Sequence, residues 1–174
     1  MRPRILAVAL LAIVGVSAPG PLLACGDKFL LPPRGMSFDE AYRARHPGSV
    51  LIYAPNGTAT ADAYSKVQAM LARAGHRVAV VHDASQVTSA LATAKADVVL
   101  TNLSEADTVS SQAGTPPAAP RIFAVLTPPG KANSTTCKTK YSCDLKSTDK
   151  PERFVVAVNS AMDDRAKAAA KHGL

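Results

Sequence analysis

The 174-residue chain has no tryptophan, and its aromatic residues are four phenylalanines and four tyrosines. Proteins that bind single-stranded nucleic acid stack bases on aromatic platforms, so this shortage removes the main requirement for such a site. Histidine is equally sparse. His46, His76, His82 and His172 are scattered along the chain, and no zinc-ligand spacing is readable among them. No metal and no cofactor are expected. Neither GxGxxG nor GxxxxGK followed by Ser or Thr occurs, so the two common phosphate-cradling loops are missing. PNGT at 55–58 is too weak a signal to replace them. No stretch reaches the ~20 apolar residues that a membrane-crossing helix needs.

What is present begins at the N-terminus, where Arg2 and Arg4 precede ILAVALLAIVGV at 5–16. A basic start followed by a short uncharged apolar run reads as a secretory signal over 1–24. LLAC at 22–25 resembles the lipobox of bacterial lipoproteins, in which the cysteine receives a diacylglyceryl thioether and becomes the first residue after cleavage. Leu22, Ala24 and Cys25 fit that pattern. Leu23 is larger than the usual residue, and Pro19 and Pro21 lie unusually close. The resemblance implies lipidation of Cys25 and a membrane anchor in the bacterial cell envelope, each buried methylene contributing ~0.8 kcal/mol. Ordinary cleavage near Ala24 is the alternative, and it would release a soluble periplasmic or secreted protein. An anchored Cys25 leaves Cys137 and Cys143, in CKTKYSC, as an even pair. A structural disulfide is the expectation in an oxidising compartment. Free thiols, or redox or metal chemistry, are the alternatives, although the spacing is not CxxC.

Without 1–24 about 150 residues remain, enough for one domain and its core. The formal charge falls from +7 to +5 when Arg2 and Arg4 are removed. Basic residues concentrate in one stretch, with Lys131, Lys138, Lys140, Lys146 and Lys150 against Asp144 and Asp149. A solvated loop accounts for that stretch better than a nucleic-acid site, and attraction to anionic lipid or cell-wall polymer is compatible with it.

The order of elements is legible from periodicity. An arm at 25–48 contains PPRG and then SFDE at 37–40, whose capping-box spacing predicts a short helix over 38–45. SVLIYA at 49–54, RVAVV at 77–81, DVVLT at 97–101 and RIFAVL at 121–126 are apolar runs of strand length. Between the first two, Tyr64, Val67, Leu71 and Ala74 repeat at helical spacing, and Gly75 supplies the stop. Asp83 is placed to cap a second helix with Val87, Ala90, Leu91 and Ala94 on its apolar face. Strands this uniformly apolar are buried on both sides, which predicts an α/β fold with a parallel sheet between helices. The polar segment at 127–150 reads as a loop with room for a short fifth strand around 141–145. Pro151 then opens a helix with Phe154, Val155, Val158, Ala161 and Met162 along one face. The domain is expected over 49–165, with 166–174 as helix end or tail.

These elements, in this order, resemble the receiver domain of two-component response regulators, a flavodoxin-like doubly wound fold, over roughly 49–162. VLIYAP stands where the family's first strand ends in an acidic pair. GHRVAVVHD, DVVLTN and IFAVLT follow at family-like separations, and Lys150-Pro151 matches the family's Lys-Pro before its last helix. The resemblance implies a magnesium site and an aspartyl nucleophile, but Ala54 and Pro55 occupy the acidic pair and Asn102 the nucleophile position. Only Thr127 and Lys150 match the phosphate-reading residues. Magnesium sites usually require carboxylates, and an amide cannot form an aspartyl phosphate. Active phosphotransfer is therefore not expected.

Asn102 has two readings. It is a strand-end residue whose short amide satisfies turn backbone groups, or it lines a ligand crevice beyond the strand ends with Asn56, Thr58, Thr127 and Lys150. Ser104, Glu105 and Asp107 share its loop, but no histidine has an evident route to the serine, which argues against a hydrolase. The resulting expectation is a noncatalytic, exported, receiver-like module that binds an envelope protein, with a small-ligand sensor as the alternative. A Cys137–Cys143 oxidoreductase ranks third.

Overall fold

A computed structural model of the chain describes residues 35–56, 61–114, 119–128, 137 and 140–172. The signal-like segment, Cys25, the PPR of the arm and Thr58 lie outside the described residues.

Helix α1, Phe38–Tyr42, opens with the expected capping box. Ser37 Oγ accepts from Glu40 N at 3.3 Å, while Ser37 N donates to the Glu40 carboxylate at 2.8 Å. The helix stops at Tyr42 rather than at 45, because the chain turns to pair Ala44 N with the carbonyl of Ala74 at 2.9 Å. Strand β1, Ser49–Tyr53, is buried along its whole length. Helix α2, Ala61–Arg73, ends where Gly75 takes φ +104°, a left-handed conformation that glycine adopts without steric cost. His76 N then bonds Leu71 O and Gly75 N bonds Ala72 O, both at 3.0 Å, closing the helix in a Schellman turn.

Strand β2, Arg77–Val81, is followed by helix α3, Ala84–Ala94, whose first turn is capped by Asp83 accepting from Ser85 N at 2.9 Å. Strand β3 is Val98–Asn102, so the expected strand shifts by one residue and Asn102 becomes its last member. The stretch read as a polar loop is a 3₁₀ turn, Leu103–Glu105, running into helix α4, Ala106–Gln112. With only Ala106 and Val109 buried, α4 has too few apolar positions to display a helical period. Strand β4 is Arg121–Val125, and helix α5 is Pro151–His172, which takes in 166–172 of the stretch expected as helix end or tail.

The strands form one all-parallel sheet in the order β2-β1-β3-β4. This is a flavodoxin-like doubly wound arrangement. Alternation along the strands sends Val50, Ile52, Val98, Leu100, Phe123 and Val125 to one face, where Tyr64, Val67 and Leu71 of α2 and Phe154, Val155 and Val158 of α5 cover them. Leu51, Tyr53, Val99, Ile122 and Ala124 face the other way, against Val87 of α3 and Val109 of α4. Each fully buried Leu, Ile or Val contributes about 1.5–3 kcal/mol, so a strand buried on both faces supplies most of its own adhesion.

The sheet is not closed symmetrically. Beside β4 the segment after Lys140 runs parallel as two isolated bridges, Phe123 to Ser142 and Leu126 to Lys146, in place of a regular fifth strand. Ala124 N donates to Ser142 O, Ser142 N to Ile122 O and Leu126 N to Leu145 O, so this segment satisfies the β4 edge. Cys137 and Cys143 stand at disulfide distance, with Cα atoms 5.3 Å apart, and fasten the start of that segment. The protein should therefore lose about 2 Da on oxidation, and breaking the short loop with Cys137→Ser should cost about 2 kcal/mol by chain entropy. Intact-mass spectra check the pairing. Alkylation of both thiols without prior reduction would rule it out.

Candidate functional site at the carboxyl ends of the strands

The strand order reverses direction at β1, which pairs with β2 on one side and β3 on the other. Open α/β sheets bind ligands at such a switch point, beyond the carboxyl ends of the strands. Ala54 and Pro55 follow β1 there. Ala54 is 1% exposed, and its backbone is fully engaged: its N–H donates to Val81 O at 3.0 Å, and its carbonyl lies 2.6 Å from His82 Nδ1. A carbonyl only accepts, so Nδ1 of His82 carries the proton in this contact.

Asn102, 7% exposed, faces this crevice from β3. Its Oδ1 accepts a hydrogen bond from the Tyr64 hydroxyl at 3.1 Å. Tyr64 is a core residue of α2, 3% exposed, and burial pushes its hydroxyl well above the usual phenol range, which keeps it a donor. The amide therefore gives a buried phenol the partner it needs. The 3₁₀ turn that follows receives no side-chain capping bond from Asn102, whose Oδ1 instead makes this contact across the core. Periodicity places Tyr64 on the buried face of α2, but the need of its hydroxyl for a partner was the only clue to the pairing with Asn102.

The other expected crevice residues are more open. Asn56 is exposed at the turn after β1, Thr127 is exposed two residues past the end of β4, and Lys150 is exposed immediately before α5. They share the carboxyl edge of the sheet, and among the described residues of this set Asn102 alone is drawn into the core. On the α3 and α4 side, the edge is acidic. Burial first, then the charges of Glu105 and Asp83, push the Tyr53 hydroxyl upward. Asp83 is held below the usual carboxylate range by the Ser85 hydrogen bonds of the α3 cap. Asp107 is likewise lowered, through hydrogen bonds from Lys140 Nζ at 2.6 Å and the Tyr141 hydroxyl at 2.7 Å, and so belongs to the clamp on the β4 edge. Among the described residues, no group of three His, Cys, Asp or Glu side chains is placed to hold a metal ion.

Most of the buried polar network lies at the opposite, amino end of the sheet. His76, 4% exposed, accepts from Gly48 N through Nδ1 at 3.2 Å, which assigns the proton to Nε2, and Nε2 meets Asn159 Oδ1 of α5 at 2.8 Å. Asn159 Nδ2 continues the chain to Tyr42 O at 2.9 Å. Nearby, Asp97 Oδ2 accepts from Ser49 N at 2.8 Å, and its other oxygen is 3.2 Å from Arg165 of α5. A separate surface cavity of about 390 Å³ opens between the end of α4, the start of β4 and the segment at 140–142. Its cations are already paired, Arg121 with Asp164 at 3.4 Å and Lys140 with Asp107.

No family model matches the chain, and no curated protein matches it. Among solved structures, it is similar to the lysine decarboxylase LdcF of Francisella novicida, at 9% identity and a TM-score of 0.47, over 72% of this chain and 18% of that one. The chain thus spans less than a fifth of the length of that structure.

Proposed function

We propose that the chain is an exported, receiver-like module, anchored through Cys25, that works by binding an envelope protein and has no phosphoacceptor chemistry. One observation carries the noncatalytic part of this reading. Where a receiver would hold three carboxylates, Ala54 is buried with its backbone engaged, Pro55 brings no backbone donor, and Asn102 is committed to the Tyr64 hydroxyl. Neither Asn102 nor the β1 end offers a carboxylate for magnesium or an oxygen nucleophile for phosphorus. The Tyr64 hydroxyl already occupies Asn102 Oδ1, which weighs against the small-ligand reading. Thr127 and Lys150, exposed on the same edge, are left as surface residues.

Acetyl phosphate with magnesium tests the chemistry. Neither the wild type nor Asn102→Asp should yield phosphoprotein by mass spectrometry, since the substitution restores a nucleophile and leaves the metal site without acids. Stoichiometric, magnesium-dependent phosphorylation of either protein would make this a live phosphoacceptor domain. Crosslinking in the intact envelope addresses the partner: one protein recovered in stoichiometric amount is the expected result, and a chain that crosslinks to nothing while a metabolite raises its melting temperature would favour the sensor.

A further inference from the structure

We propose that two copies of this chain pair through their β2 strands, antiparallel, to make one continuous eight-stranded sheet. β2 is the outer strand of the order β2-β1-β3-β4, and it differs from the other edge in what faces outward. Arg77 N donates to Gly48 O and Ala54 N donates to Val81 O, both at 3.0 Å. Backbone groups alternate sides in a parallel ladder, so Arg77, Ala79 and Val81 turn theirs to β1 while Val78 and Val80 turn theirs outward. Among the described residues, none bonds to those outward groups. The β4 edge, by contrast, is covered by the segment that Cys137 and Cys143 fasten. Natural edge strands are commonly protected by a central charge, a proline or a bulge. RVAVV has none of these within its span, and only Arg77 at its start is charged.

A second copy of the chain fits this edge because the edge is self-complementary. A two-fold axis through Ala79, perpendicular to the sheet, sets Val78 of one copy opposite Val80 of the other, so that the outward N–H and C=O groups of each satisfy the other as hydrogen-bonded pairs. The side chains of Val78 and Val80, half-buried against the α2 and α5 layer, then meet their counterparts. The same register sets Arg77 opposite Val81 of the second copy and diagonal to its Asp83. Both charged residues are exposed, and they lie within the reach that long side chains have across antiparallel strands. The axis repeats that Arg–Asp pair. A parallel register, or one shifted by a residue, would lose the hydrogen-bonded pairs or the charge match. This assembly goes beyond the adaptor reading and does not depend on it.

The test uses the chain expressed from Met1 with Cys25→Ser, so that neither lipid nor a stray thiol creates a dimer. Sedimentation equilibrium should show a monomer–dimer equilibrium. Val80→Pro removes an outward donor without touching the bonds to β1 and should weaken association at least tenfold, with circular dichroism reporting that the fold is kept. Because that variant could unfold, Ala79→Cys supplies an independent readout. At the two-fold axis, the introduced thiols should oxidise to a crosslinked dimer much faster than those of Ser89→Cys on α3. A strict monomer at 100-fold the concentration of a working assay, a folded Val80→Pro protein that dimerises unchanged, or equal crosslinking at positions 79 and 89 would each overturn the proposal.

Discussion

Asp97→Ala should lower the unfolding free energy by about 2–3 kcal/mol, measured by urea denaturation with an unchanged slope. The larger part comes from one orphaned donor. Ser49 is 2% exposed, and its N–H donates to Asp97 Oδ2 at 2.8 Å, so alanine leaves a buried amide without an acceptor. The ion pair with Arg165 adds less, because both side chains are partly exposed and screened. Arg165→Ala should therefore cost no more than about 1 kcal/mol, and Asp97→Asn, which keeps an acceptor oxygen, should fall between the two. The backbone of Asp97 also bonds Ser49 O and receives Arg121 N, at 2.8 and 2.9 Å, so the side chain locks a position where β1, β3 and β4 all begin. If Asp97→Ala changed stability by less than 0.5 kcal/mol, the Ser49 amide would have found another partner and this account of the amino edge would be wrong.

His76→Leu should cost about 2–3 kcal/mol, although leucine nearly matches the volume and is the better apolar residue. The substitution strands Gly48 N–H on one side and Asn159 Oδ1 on the other, in a region where His76 is 4% exposed. Asn159→Ala breaks the same chain one link further on and also releases Tyr42 O. The double variant should be less destabilised than the sum of the singles by about 1 kcal/mol, since the second deletion removes a partner already lost. Additivity within 0.3 kcal/mol would show that the two side chains act independently. The network joins the loops before β1 and β2 to α5 and to the end of α1, so its loss should also loosen the docking of α1.

How much of this was readable in the sequence depends on what kind of signal carried each element. The four strands and the caps at Ser37 and Asp83 were legible because apolar runs and capping residues are local features. α4 was not, since a helix that buries only Ala106 and Val109 has no period to detect. The bridged segment at 140–147 was expected only as a possible strand. Its hydrogen bonds come from β4, and nothing within its own residues announces them. At the candidate site, the position of Asn102 at a strand end was legible, while its role was not. A phenol 38 residues earlier in the chain sets that role, and such a pairing exists only once α2 has packed on the sheet. His76 and Asn159, 83 residues apart, escaped for the same reason.

The switch of direction at β1 also shapes how the chain must assemble. The loop joining the starts of β1 and β2 spans 28 residues, from Gly48 to His76, and that joining the starts of β1 and β3 spans 48, from Ser49 to Asp97. Each pairing must be reached before its contacts repay the entropy of closing the loop, and parallel topologies of this kind fold slowly for that reason. During synthesis, β1, α2 and β2 emerge as a unit whose central strand still lacks its second neighbour. Until β3 arrives, both flanks of the pair are open, and β1 presents a side buried in the finished sheet to any other chain with a free strand. A topology that encloses β1 between β2 and β3 when complete thus passes through a stage when its most apolar strand is open on one side. Co-translational binding by a chaperone at that stage would act on β1 before it acted on any other strand.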